Sequence, residues 1–317
     1  MYDPQAKKLN GQSAFKEIVV EISARQLSAK SEALQQMSLF LTQAVFMEVC
    51  AHPKPGLVTR HSNGAHTDMS ILTFAAGSAV LAKAFSDLQV LGMNHTGDYR
   101  ELFAKVRQYG VSAEQELLRV TKGVNTQRGI LFAGGLMAAA AGAALNKGLD
   151  SGTLCSIVAE MTQGLVAKEL AGLQADRPLT AGEKLYQTYG ITGIRGEVEA
   201  GFPSVRQAGL PGLKEAFARG ACLNDALIHA LLNLMTVVQD SNVIWRGGYE
   251  KLPFVQQRAK AILAQGSVFT AAGQRLLAES EAVFRVERIS PGGSADLLSV
   301  TVALYLVENK EFPVAII

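Results

Sequence analysis

Gly123-Val124-Asn125-Thr126-Gln127-Arg128-Gly129 runs directly into Ile130-Leu131-Phe132-Ala133-Gly134-Gly135-Leu136-Met137-Ala138-Ala139-Ala140-Ala141-Gly142-Ala143-Ala144-Leu145. The second stretch carries no charge and is nearly all Ala, Gly and Leu. It is shorter than the ~20 apolar residues a membrane span needs, and too rich in Ala and Gly. It reads as a buried helix. Its small residues let a neighbouring helix come close, so it belongs at the centre of the fold. The polar block before it forms the helix start. Asn125 or Thr126 can cap that start, and glycine and arginine beside free helix amides also make an anion site.

Working outward, the same helical rhythm recurs. From Ser31 to Cys50 the apolar positions Leu34, Met37, Leu41, Ala44, Val45 and Val49 fall on one face. Pro53 and Pro55 stop that helix. A loop follows to Asp68, where Asp68 or Ser70 can cap the next helix, running through Leu91. Further helices are predicted over 99–121, 127–147, 151–173, 180–190, 204–219, 222–239, 250–265, 269–286 and 294–309. Only 282–289 tempts a strand assignment. The expectation is an all-α fold, a single globular domain of about ten helices. Residues 1–30 have weak periodicity and read as a peripheral N-terminal extension, with an all-helical catalytic domain over 31–317.

The 317 residues are 48% hydrophobic, ample for a packed core. Charged residues make up 18% and the net charge is +2, with no basic stripe. A nucleic-acid polymer is therefore not an expected partner, and neither is a membrane. Cys50, Cys155 and Cys222 lie far apart and form no CxxC pair, so they read as three buried thiols in a reducing cytoplasm. The N-terminus, mixed polar and charged, is no signal peptide.

Five polar, glycine-bearing blocks interrupt the helices. The first is Pro53-Lys54-Pro55-Gly56-Leu57-Val58, continuing to Asn63-Gly64-Ala65-His66-Thr67-Asp68-Met69, and the second precedes Ile130. The others are Gly193-Ile194-Arg195-Gly196-Glu197-Val198-Glu199-Ala200-Gly201-Phe202-Pro203, Asp240-Ser241-Asn242-Val243-Ile244-Trp245-Arg246-Gly247-Gly248 and Ser290-Pro291-Gly292-Gly293-Ser294-Ala295-Asp296. Each falls at a predicted helix end, so they are expected to meet in one pocket, with Lys54, Arg195 and Asp296 together in it. Cations, carboxylates and glycines in combination suit a phosphorylated ligand and its metal. The two prolines would fix Lys54 toward a phosphate. His66 and Asp68, two apart, more often form a hydrogen-bonded loop than a metal pair. Arg195 and Glu197 sit among glycines in a segment of poor helix propensity, where a surface salt bridge is not the usual occupant. Asp240 closes a long apolar helix, where the dipole opposes a carboxylate, and this marks it for a metal or base role. The Gly292-Gly293-Ser294 loop entering a helix fits phosphate cradling without P-loop spacing.

In these blocks and their order the chain resembles the triphosphoribosyl-dephospho-coenzyme A synthase family, over roughly residues 35–310. Two departures stand out. The family pattern often has Asp where this chain has Thr59, and His-Lys where it has Gln127-Arg128. The resemblance implies transfer of the triphosphoribosyl group of ATP to the ribose 2′-hydroxyl of 3′-dephospho-coenzyme A, with release of adenine. The product would be the prosthetic-group precursor for the acyl carrier subunit of citrate lyase; malonate decarboxylase is the alternative system, and a non-catalytic nucleotide or coenzyme A binding assembly factor the alternative class. A carrier-protein transferase is the implied functional link, and the oligomeric state stays open.

That chemistry asks for acid/base groups, with Glu197 and Asp240 as candidates. It asks for triphosphate and nucleotide contacts, with Lys54, Asn125, Arg128, Arg195, Asn242, Arg246, Gly292, Gly293 and Ser294 as candidates. Mg²⁺ is expected, with Glu48, Asp68 and Asp296 as its carboxylates.

Overall fold

The computed structural model describes residues 36–144, 149–171 and 178–316. The predicted extension over 1–30 lies outside the described residues. Among the described residues every regular element is helical. The first helix, α1, covers 36–50. It is followed by α2 (Ile71–Met93), α3 (Tyr99–Val120), α4 (Arg128–Ala143) and α5 (Ser151–Met161). Next come α6 (Ala181–Tyr189), α7 (Gly193–Glu199), α8 (Leu210–Ala218) and α9 (Leu223–Met235). The last four are α10 (Ser241–Gly247), α11 (Lys251–Ala264), α12 (Ala271–Val286) and α13 (Gly292–Asn309).

Three largely apolar and largely buried helices make the core: α4, α9 and α13. The Ala/Gly-rich stretch is buried almost throughout, from Ile130 to Gly142, and packs most extensively on α2. The reason is visible at two glycines. A Cβ on Gly92 of α2 would lie 2.0 Å from the Ala139 carbonyl oxygen, and one on Gly142 would lie 2.0 Å from that of Gln89. The two backbones touch directly. By length and composition α2 could cross a membrane, with 33% of that stretch buried; Leu81, Phe85 and Leu88 pack in the core.

Where the elements differ from expectation, local chemistry explains it. The blocks at 193–203 and 240–248 contain the short helices α7 and α10, the second started by Asp240, whose Oδ1 accepts from the amides of Asn242 (3.1 Å) and Val243 (3.4 Å). The helix expected over 222–239 ends at Met235. The one expected over 151–173 stops at Met161; a π-helical turn follows at Ala167–Ala171. The tempting strand at 282–289 is helical through Val286. Cys155 is buried as expected, but Cys50 and Cys222 are exposed, and all three are free.

The α2–α4 contact makes a clean test. Overpacking costs about 1–3 kcal/mol, against about 1 kcal/mol of helix propensity gained by Gly→Ala. Gly142→Ala and Gly92→Ala should each lower stability in urea unfolding. A Cβ at Gly110 of α3 would meet nothing within 4 Å, so Gly110→Ala should instead raise stability by roughly 0.5–1 kcal/mol. Equal effects at the three positions would contradict the close approach.

Candidate active site

All five polar blocks contribute to one cavity of about 610 Å³. Its wall includes Glu48 of α1, His66 and Asp68 of the loop before α2, and Asn125, Arg128 and Gly129 at the start of α4. Glu197 of α7, Asn242 and Arg246 of α10, and Gly292, Gly293 and Asp296 of α13 complete the polar wall. Four carboxylates and two arginines thus share one space.

Asp296 organises the floor. Its Oδ1 accepts from the amide of Ile130 at 3.0 Å, capping the first turn of α4 from another helix. Gly129 is what permits this: a Cβ there would stand 1.8 Å from Asp296 Oδ2. Burial, and then the negative charges of Glu48 and Asp240, push the Asp296 carboxyl well above the ordinary aspartate range. The amides of Arg128 and Gly129 find no protein acceptor among the described residues. They remain as donors at the positive end of α4.

Asp240 stands outside the wall and has a different task from the one its sequence position suggested. The helix before it has already ended, so Asp240 meets the favourable end of a dipole, at the start of α10. Its Oδ2 accepts from the amide (2.8 Å) and hydroxyl (3.1 Å) of Ser294, and Gly293 also donates to the carboxylate. Asp240 therefore joins the first turns of α10 and α13. Burial raises its pKa despite these bonds. The same contacts occupy the amides of Gly293 and Ser294, while that of Gly292 donates to Ser290 O at 2.9 Å. The glycine loop thus lines the cavity with its amides already committed, and Ser294 is turned to Asp240.

Lys54 and Arg195 do not join Asp296 in the wall. The Lys54 ammonium is fully buried and bonds the Glu48 carboxylate and, at 2.6 Å, the Glu48 carbonyl oxygen. Burial lowers the lysine pKa and raises that of Glu48, each partner opposing the shift of the other. Lys54 acts on the cavity only through Glu48. Arg195 Nε donates to Glu169 at 2.8 Å, and Arg107 pairs with the same carboxylate at 2.8 Å. This is the salt-bridge alternative weighed for Arg195.

Glu197 does face the cavity. It accepts from the Ser204 hydroxyl (2.5 Å) and amide (3.2 Å), and burial nonetheless raises its pKa. Arg128 pairs with Glu114 at 2.5 Å, partly exposed. Arg246 Nη2 donates to His66 Nδ1 at 3.2 Å, which leaves the His66 Nε2–H to donate to Ser290 Oγ at 2.8 Å. Burial and then the Arg246 charge lower the His66 pKa, so the ring is neutral at pH 7. Asp68 approaches His66 Nδ1 at 3.6 Å. His66 is thus an arginine-facing hydrogen-bond bridge. Its partner Ser290 belongs to the 290–294 loop expected to cradle phosphate, whereas the wall residues Gln127 and Trp245 have no role assigned from sequence. Trp245 carried a signal, being the chain's sole tryptophan.

A family model described as ATP:dephospho-CoA triphosphoribosyl transferase matches residues 34–312. The chain belongs to that family. It is an enzyme, a transferase with ATP and dephospho-CoA as substrates. It is 42% identical over 282 residues to a probable 2-(5''-triphosphoribosyl)-3'-dephosphocoenzyme-A synthase of Malonomonas rubra, covering 87% of this chain and 89% of the relative. The synthase of Klebsiella pneumoniae is 37% identical over 281 residues (88% and 93% covered). That of Pectobacterium atrosepticum is 40% identical over 286 residues (88% and 93%). No solved structure matches.

The two departures from the family pattern now have places. Thr59 Oγ1 accepts from the amides of His61 (3.2 Å) and Ser62 (3.0 Å), so it builds a turn outside the cavity. Gln127 lines the cavity, donates to Ser78 Oγ at 3.1 Å, and has an Oε1 with no partner.

The crowding at Asp296 gives a pH-dependent prediction. A carboxyl with a raised folded pKa favours the fold fully below its unfolded pKa of ~3.9, and that contribution is lost as pH rises through the folded value. Asp296→Asn keeps an oxygen for the Ile130 amide and removes the charge. Its melting temperature should exceed that of the parent at pH 8, and the difference should shrink as pH falls toward 4. A difference constant with pH would refute the crowding.

Proposed function

We propose that this cavity is where the triphosphoribosyl transfer occurs, and that Glu197 serves it as an acid/base group. The acceptor's ribose 2′-oxygen bonds to C1′ of ATP, the C1′–N9 bond breaks, and the electron pair leaves with adenine. Adenine takes up a proton, the 2′-hydroxyl loses one, and the triphosphate stays intact on the transferred ribose. A raised pKa lets Glu197 hold its proton to higher pH than a free carboxyl, which suits donation to the departing base. Arg128, Arg246 and the free amides of α4 suit the triphosphate. Asn125 and Asn242 line the same space as hydrogen-bonding groups for the nucleotides.

The observation that carries this reading is the excess of carboxylates over cations in a cavity meant for an anion. A divalent cation resolves it. Mg²⁺ binds through one or two carboxylates and substrate phosphates, and the mutually repelling Glu48 and Asp296 are the pair such an ion would relieve. Among the described residues no group of three or more His, Cys, Asp or Glu forms a cage, which fits a metal arriving with its nucleotide. Mg²⁺ would neutralise the triphosphate and help fix its position. A binding-only assembly factor would have no use for these carboxylates. The product is, in this reading, the precursor of the carrier-subunit prosthetic group of citrate lyase, made in the cytoplasm and passed to a carrier-protein transferase. Malonate decarboxylase subunits encoded alongside would redirect the assignment.

Adenine should appear on mixing enzyme, ATP, Mg²⁺ and dephospho-CoA, in step with the coupled product and without phosphate or ADP. Chelation of Mg²⁺ should abolish it. Glu197→Gln should lower turnover by about 10²–10⁴-fold with the melting temperature nearly unchanged. Turnover within a few-fold of the parent would remove Glu197 from the chemistry.

A further inference from the structure

The inner wall of the cavity and its rim differ in chemistry. Inside stand Glu48, Glu197, Asp296 and the first-turn amides of α4, while Arg128, Arg246 and Asp68 are exposed. At the rim, the Trp245 side chain lines the cavity while remaining 53% exposed, and Val237 beside it is 47% exposed. Lys184 of α6 places its Nζ 5.8 Å from the Trp245 ring centroid. In the turn just after α10, Tyr249 stacks on Tyr189 of α6, with centroids 4.6 Å apart and planes 20° apart. This pair ties the end of α10 to α6, close in sequence to the tryptophan. A lone exposed aromatic is ordinary on a protein surface. A cation-flanked indole on the rim of a nucleotide cavity is a built stacking face.

We infer that Trp245 is the stacking platform for the adenine of the acceptor, dephospho-CoA, with Lys184 beside its pyrophosphate. This rests on the transferase reading above. Size and charge select the acceptor over ATP. A single pocket of ~300–1,000 Å³ accommodates one drug-sized ligand, whereas the reaction brings together two nucleotides, one with a long pantetheine arm. The triphosphate belongs with the carboxylates inside, the metal they would hold and the free amides of α4, with Arg128 and Arg246 in the same lining. The arm must run out to solvent, so the acceptor's base lies on the way out, at the rim.

Because the chain has a single tryptophan, its emission reports on Trp245 alone. Dephospho-CoA should quench it saturably. 4′-Phosphopantetheine, which has the arm without the base, should leave it unchanged, and ATP with Mg²⁺ should quench far less. Trp245→Ala should raise the KM for dephospho-CoA by about 5- to 150-fold, the range expected of one base–aromatic stack. The KM for ATP and kcat should stay within a few-fold, and Trp245→Phe should recover most of the loss. Equal quenching by ATP, quenching by phosphopantetheine, or a KM effect confined to ATP would overturn the assignment. So would a Trp245→Ala enzyme with unchanged KM, while parental adenine release still upheld the transferase reading. Absence of adenine release by the parent enzyme would defeat that reading itself, whatever the emission shows. A merely structural role would lower the melting temperature of both variants without separating the two substrates.

Discussion

Carboxylates that cap helices other than their own hold this site in shape. Asp296 of α13 accepts the Ile130 amide of α4, and Asp240 joins the starts of α10 and α13. A helix start has four amides without an internal partner, and leaving them buried and unmet is costly. Here one helix meets the need of the next. The starts of α4, α10 and α13 are thereby gathered around a common cavity, although they lie far apart in sequence. The charge–dipole contribution of each cap is of order 0.3–2 kcal/mol, and the geometric consequence is larger than that energy.

The arrangement sets folding against function. Taking carboxyls out of water disfavours their charged forms, and Glu48, Glu197, Asp240 and Asp296 are all shifted upward by burial. The apolar triad α4, α9 and α13 offsets this with tight packing. The Lys54–Glu48 pair adds its own constraint. Removing one member of a buried pair is far more disruptive than the pair is stabilising. A lysine without solvent contact therefore keeps Glu48 facing the cavity.

The helical fold and the convergence of the polar blocks were legible from spacing: apolar runs with a period near 3.6 and glycine-bearing interruptions between them. Single roles were harder to read. By sequence, Arg195 and Glu197 both read as site residues, because the glycines give 193–203 poor helix propensity. Once the segment is helical, residues two apart point to different sides, and only Glu197 faces the cavity. Asp240 was placed at a helix end, but α9 stops at Met235 and the sign of the dipole argument reverses. Lys54 points to phosphate by its charge and by the two prolines that flank it. Its burial against Glu48 depends on a fold in three dimensions that no local pattern carries.

Gly129 and Asp296 share one volume, for a single methyl at the first would occupy the place of an oxygen of the second. A side chain at 129 would therefore displace the Asp296 carboxylate from its present place, and with it the cap of α4.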